Sequence, residues 1–203
     1  MEILKATDQE ILDEIQRIRE MYTLKQTMRY ESARDHEVHS ESVAEHIFGM
    51  FVLTDYFLPL EDPEGKLDRA KIDRMILYHE LGEVELGDTM FHKKSDANIR
   101  AEAQAAERVA ARMPDRIREH ALALFTDFET AASPEARFSI AIDKLEPIFE
   151  LSTDIGAALY RQHGINKEVA IDKKYMASEG YPHMQRFLDA WTNWMVSINA
   201  FAE

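Results

Sequence analysis

Apolar residues recur at three- and four-residue intervals along most of the chain, and that period predicts helices. Ile11, Ile15, Ile18 and Tyr22 share one face of a first helix over about 7–28. The polar segment "RYESARDHEVHSES" interrupts the pattern and reads as a loop. The pattern resumes in "SVAEHIFGMFVLTDYFL", where Ser42 and Glu45 have capping-box spacing, so the second helix starts at Ser42. This stretch is apolar nearly all round, which predicts burial at the centre of the fold. A Pro/Gly connection over 59–66 leads to a third helix, about 68–82, with Gly82 as its terminator. An Ala-rich fourth helix, "SDANIRAEAQAAERVAARM", stops at Pro114. Helices over about 115–130, 134–162 and 168–200 complete the expected bundle. Seven Gly and six Pro in 203 residues leave little turn chemistry for a β fold. The expected class is all-α, in a single domain over 1–203.

Composition changes this picture only by exclusion. The formal net charge of −14 disfavours a nucleic-acid polymer as partner, though a small anion stays compatible if a metal or a local cation reverses the field. Most of the acids read as solvated surface. There is no cysteine, so His and carboxylates are the available metal ligands. No apolar run approaches the roughly 20 residues of a membrane span, and the acidic, helix-like N-terminus does not read as a secretory signal. The expectation is a cytoplasmic protein with no membrane partner.

Three positions stand against their surroundings. His79 continues the stripe of Ile72, Met75 and Ile76, and Glu83 lies one turn further along that side. His46 sits one turn inside the apolar second helix, among Val43, Ile47 and Met50. Taken singly, each imidazole reads as a hydrogen-bonded core residue. Two on adjacent apolar helices suggest one divalent cation that satisfies both through neutral ring nitrogens. Asp143 lies in the apolar run "FSIAIDKLEPIFE", where an unpaired carboxylate would tend to protonate and a metal would keep it ionised. Pro147 removes the N–H that would bond the Asp143 carbonyl, which predicts a kink there. A surface-facing Asp143 with a tolerated proline bend is the bland alternative. "HELGE" starts like the H-E-x-x-H zinc-protease motif, but Glu83 stands where the second histidine belongs, which argues against that chemistry.

His46, His79 with its adjacent acid, and the distant Asp143 together resemble the H…HD…D ligand set of the HD-domain metal-dependent phosphohydrolases. "ESVAEH", "YHELGEVELGD" and "IDKLEPI" resemble the YfbR-like 5′-deoxynucleotidase branch, with "SDANIRAEAQAAERVA" and "FTDFETAASPEARF" in the expected order between them. The resemblance covers roughly 24–160 and implies an HD-type helical bundle, with the helix over about 168–200 packed on it. It implies His46, His79, Glu80 and Asp143 as ligands of one divalent metal ion (Co, Mn, Zn, Ni, Fe or Mg). Glu83 matches the family's catalytic glutamate. Asp88 matches an aspartate near the substrate, suited to proton transfer or sugar binding. Arg29 corresponds to an arginine that contacts phosphate or sugar, and Tyr30 after it would stack on a base. Thr89, in "GDT", and Lys94 complete the implied substrate contacts; for Lys94 an exposed loop lysine is an equal alternative. One departure is plain. Glu80 stands where the superfamily has aspartate, and its extra methylene moves the carboxylate by roughly 1.5 Å unless the rotamer folds back.

The implied activity is removal of phosphate from a nucleoside 5′-monophosphate, with deoxyribonucleotides among the candidates. A second reading is a non-catalytic metal- or nucleotide-binding HD-fold protein, motivated by the His-Glu variant. A third, a di-iron oxygenase, needs further buried histidines, whereas His36, His39 and His92 fall in polar segments. The apolar C-terminal "FLDAWTNWMVSINAF" suits a homodimer interface or an intramolecular core equally well.

Overall fold

The computed structural model describes residues 2–26, 41–88 and 94–202. Its described residues form helices and connecting turns, with no strand. The chain folds as two compact units, one made of Met1–Pro63 and Ala141–Glu203, the other of Glu64–Ile140.

In the first unit, a 3-10 turn at Ile3–Lys5 precedes α1 (Asp8–Gln26). The second helix, α2 (Val43–Glu61), has Ser42 as its N-cap, as its sequence predicts. The Ser42 hydroxyl accepts from the Glu45 N–H at 3.2 Å, and the Glu45 carboxylate accepts from the Ser42 N–H at 2.6 Å. Contrary to expectation, α2 is not buried all round. Only Gly49, Met50, Leu53, Thr54 and Phe57 are buried, a single stripe at helical spacing. The helix α2 also departs from the expectation that no apolar run has membrane-spanning length. By length and composition alone, the 19 residues of α2 would suffice to cross a membrane. Its capping box, its acids Glu45, Asp55 and Glu61, and its packing on α1 and α10 are those of a helix in a bundle.

The expected helix over 134–162 is two helices, α7 (Pro134–Glu150) and α8 (Asp154–Gln162). Thr153 restarts the chain by accepting from the Gly156 N–H at 2.9 Å. The helix α7 begins in the second unit, ends in the first, and runs unbroken through Pro147. The expected helix over 168–200 is also two, α9 (Lys167–Ala177) and α10 (Pro182–Ser197). They are separated by Gly180, whose φ of +86° suits glycine, and Pro182 occupies the first turn of α10. The core of this unit gathers Phe57, Phe149 and Phe187, with ring centroids 5.0–6.1 Å apart. Arg19 of α1 donates to the Phe149 and Glu150 carbonyls and so closes the C-terminal end of α7.

One buried cation in this unit carries a desolvation penalty. Lys174 of α9 is buried and donates to the Lys144 carbonyl at 3.1 Å. Burial and then the Lys144 charge push its ammonium down to about 8, against the pull of Asp143 and Glu146. Below that value both folded and unfolded chains hold the proton, and the folded chain bears the full penalty. Between about 8 and the ordinary lysine value the unfolded chain binds more protons, so this group makes stability rise with pH. Lys174→Met is therefore expected to stabilise the protein at pH 7 by on the order of 1–3 kcal/mol, with the gain shrinking toward pH 10. Urea melts at both pH values check this; a destabilised variant would show that the ammonium is well paired.

In the second unit, α3 (Arg69–Tyr78) starts at Asp68, whose carboxylate accepts from the Ala70 and Lys71 N–H groups at 2.9 and 3.1 Å. Ile72, Met75 and Ile76 are its buried stripe, and Met75 packs on Phe128 and Ala136. The helix ends at Tyr78, four residues before the expected stop, and a tight turn over 79–82 leads into α4 (Glu83–Leu86). Gly82 has a φ of −67° and is no left-handed terminator. Its hydrogen side chain is needed for another reason: a Cβ there would lie 2.6 Å from the Glu102 carbonyl oxygen of α5 (Asp96–Arg112). Leu81, Ala106, Val109, Ala110 and Phe125 form the core between this turn, α5 and α6 (Asp115–Thr130).

Candidate metal centre

In the second unit, the end of α3 sets up one cluster of possible ligands. His79 remains on the buried stripe, 3% exposed, with its ring centroid 4.9 Å from that of Phe128. Its Nδ1 lies 2.8 Å from the Ile76 carbonyl oxygen. A carbonyl can only accept, so Nδ1 carries the proton. In the neutral ring Nε2 is then a lone pair, and it stands 3.2 Å from Oε1 of Glu80. Two acceptors so placed call for a proton or a cation shared between them. That is the donor chemistry of a divalent-metal site: a neutral imidazole whose far nitrogen is hydrogen-bonded, beside an anionic oxygen.

The acids that follow in the sequence divide by direction. Glu85 points away and is held by Arg108 at 2.7 Å and Arg112 at 3.1 Å. Glu83 is half-buried; burial first, then the charges of Glu80 and Asp88, push its carboxyl up to about 8. A hydrogen bond with Glu80 adds to this, and the charge of Lys94 opposes it. Lys94 is half-buried and donates to Glu102 at 3.0 Å. Burial disfavours its charge, but Glu102, Glu80 and Glu83 outweigh that and raise its ammonium. Asp88 is exposed.

The first unit holds a second cluster of possible ligands. His46 projects from the first turns of α2 between two carboxylates of α7. Its Nε2 is 3.2 Å from Oδ1 of Asp143 and its Nδ1 is 3.1 Å from Oε2 of Glu146. Asp143 and Glu146 share a face because they are three residues apart on one helix. Asp143 is buried, as the apolar run predicts, and its second oxygen accepts from Lys144 at 2.6 Å. Burial by itself lowers the His46 imidazolium, but hydrogen bonds and charge from Asp143 and Glu146 hold it well above the usual histidine range. Glu41, His46 and Glu146 also offer donor atoms within 4.8 Å of one another.

The pairs His79–Glu80 and His46–Asp143 are thus each formed within its own unit, and each fits a divalent ion by donor type. Arg29, Tyr30 and Thr89 lie outside the described residues. Glu146, the buried acid facing His46, and Glu102, the acid holding Lys94, are not anticipated by the sequence reading. Glu146 has a readable signal, since it is a second acid one turn from Asp143 in the same apolar run. Glu102 has none, because it sits in an Ala- and Glu-rich helix where an acid is unremarkable.

The chain is similar to several known proteins. The chain is 26% identical over 114 residues to 5′-deoxynucleotidase HDDC2 of Homo sapiens, covering 55% of this chain and 53% of that protein. It is 27% identical over 121 residues to 5′-deoxynucleotidase hdd1 of Schizosaccharomyces pombe, covering 55% of this chain and 57% of that one. The chain thus spans about half the length of the curated relatives it matches. The crystal structure of a predicted metal-dependent phosphohydrolase from Magnetospirillum magnetotacticum MS-1 superimposes with a TM-score of 0.68 at 24% identity, over 96% of this chain and 94% of that one. That likeness concerns the fold. The family model for the HD domain matches residues 21–184, a span that takes in both histidines, Glu80 and Asp143, and the chain accordingly belongs to the HD domain family.

Proposed function

We propose that the protein is a metal-dependent phosphohydrolase that removes phosphate from nucleoside 5′-monophosphates, deoxyribonucleotides included. The observation that carries the reading is the polarity of His79, with Nδ1 held by the Ile76 carbonyl and Nε2 beside the Glu80 carboxylate. The substrate class is supported by the relatives, which are 5′-deoxynucleotidases. In this reading His46, His79, Glu80 and Asp143 hold one divalent ion, a set of two imidazoles and two carboxylates suited to such an ion. When bound, the ion supplies Lewis-acid polarisation of the phosphoryl group and lowers the pKa of water.

The remaining chemistry falls to the chain. Glu83 accepts a proton from the attacking water on its carboxylate. Lys94, whose ammonium is raised in part by the charges of Glu80 and Glu83, neutralises charge that builds on the phosphate or on Glu83. Asp88 assists proton transfer or holds the sugar. Arg29 grips phosphate with paired donors, Tyr30 stacks on the base, and Thr89 adds a hydroxyl contact. The direct test is phosphate release from a panel of ribo- and deoxyribonucleoside 5′-monophosphates with Mn²⁺ or Co²⁺. Release from at least one is expected. A protein that holds metal yet hydrolyses none of them would favour the non-catalytic alternative.

The glutamate variant of the motif has its own expected outcome. Glu80→Asp restores the usual ligand length, and metal affinity and activity equal to or above the parent are expected. Metal titration and initial rates measure both. Loss of both would show a pocket adapted to the longer side chain.

A further inference from the structure

We infer that Glu146 is a positioning residue that fixes the His46 tautomer and so aims Nε2 at the metal; the inference rests on the proposed metal centre. Two carboxylates flank the His46 ring, Asp143 at Nε2 and Glu146 at Nδ1, and an imidazole that ligates a metal is neutral, with one N–H to distribute between them. Glu146 is fully buried. With the proton on Nε2, the Nδ1 lone pair would face this buried anion, an unfavourable pairing of acceptors in a region poor in water. With the proton on Nδ1, Glu146 receives a charge-assisted hydrogen bond. The Nε2 lone pair then lies beside Asp143, ready to share a cation with it.

The second histidine has the same polarity. His79 gives its Nδ1 proton to the Ile76 carbonyl and turns Nε2 toward Glu80. The two imidazoles differ in what orients them, a neutral peptide oxygen for His79 and an anionic carboxylate for His46. An anionic acceptor draws the Nδ1 proton more strongly and makes Nε2 the more electron-rich donor. Glu146 sits on the same α7 face as Asp143, so one helix both supplies an acid ligand and orients the histidine beside it.

The test uses the full-length chain and Zn²⁺. Nitrogen-15 NMR of histidine-labelled, Zn²⁺-loaded protein is expected to show His46 with the metal on Nε2 and the proton on Nδ1; the reverse assignment overturns the inference. Calorimetric Zn²⁺ titration is expected to show Glu146→Ala roughly 10–100-fold weaker than the parent. Glu146→Gln retains an oxygen that can accept the Nδ1 proton, so it is expected to lose less, with the Nδ1 proton resonance moved upfield. Equal losses for Gln and Ala would mark Glu146 as a direct ligand, and unchanged affinity in both would leave it merely structural; either result overturns the proposal. If a variant fails to fold, the parent spectrum still decides. A parent that binds no Zn²⁺ would remove the metal centre itself, a result distinct from a parent that binds and a Glu146 variant that binds equally well.

Discussion

A His79→Ala protein is expected to lose metal binding by more than about 100-fold and to hydrolyse nucleotides no faster than background. The scale follows from ligand chemistry: groups that only orient a ligand already cost roughly 10–100-fold on removal, and the ligand itself costs more. The substitution also empties a buried position against Phe128. A stability loss of about 1–3 kcal/mol should accompany it. Calorimetric Mn²⁺ titration of the folded variant, alongside its melting curve, separates the two effects. Stoichiometric Mn²⁺ binding at near-parental affinity would remove His79 from the ligand set, and with it the observation on which the proposed function leans most.

Glu83→Gln should divide the functions that His79→Ala destroys together. The amide keeps the size of the side chain and cannot take a proton from water at neutral pH. A fall in kcat of about 10²–10⁴ is expected, with Mn²⁺ affinity kept within a few-fold. With its carboxyl raised to about 8, metal-free Glu83 is largely protonated at neutral pH, and the amide can replace it in the hydrogen bond with Glu80, so the metal-free variant should melt no lower than the parent. Initial rates under saturating substrate, with metal content measured in the same samples, give the answer. An undiminished kcat would mean that another group takes the proton.

The parts of the site that can be read from the sequence are those where a local rule names its own residues. Ser42 and Glu45 announce the start of α2, and the structure closes both hydrogen bonds of that cap. The His79 stripe follows from helical spacing alone, and burial bears it out. The reading fails where apolar periodicity runs across a break. Signals are present at both missed boundaries: Thr153–Asp154 makes a helix start, and Gly180 followed by Pro182 makes a stop and a restart. Gly82 shows the opposite error. A glycine at a helix end suggests a left-handed cap, yet here the residue is right-handed and is small because another backbone passes close by. Nothing in a single sequence distinguishes these two uses. The apolar circumference of α2 likewise reports what exposure would cost and not which side is covered. Glu146 is hidden by its neighbour, since one acid in an apolar run invites explanation and a second draws no notice beside it.

The close approach at Gly82 also bears on how the acids keep their balance. It sets main chain against main chain, the 79–83 turn against α5 at Glu102, and neither surface has a rotamer with which to yield. Glu102 is the residue that tethers Lys94. Any drift of α5 therefore carries the turn, and Glu83 with it, in step with the ammonium that moderates its charge. The moderating charge thus stays with Glu83 as that helix breathes, and retuning its proton affinity falls to the groups that act on it more strongly, Glu80 and Asp88.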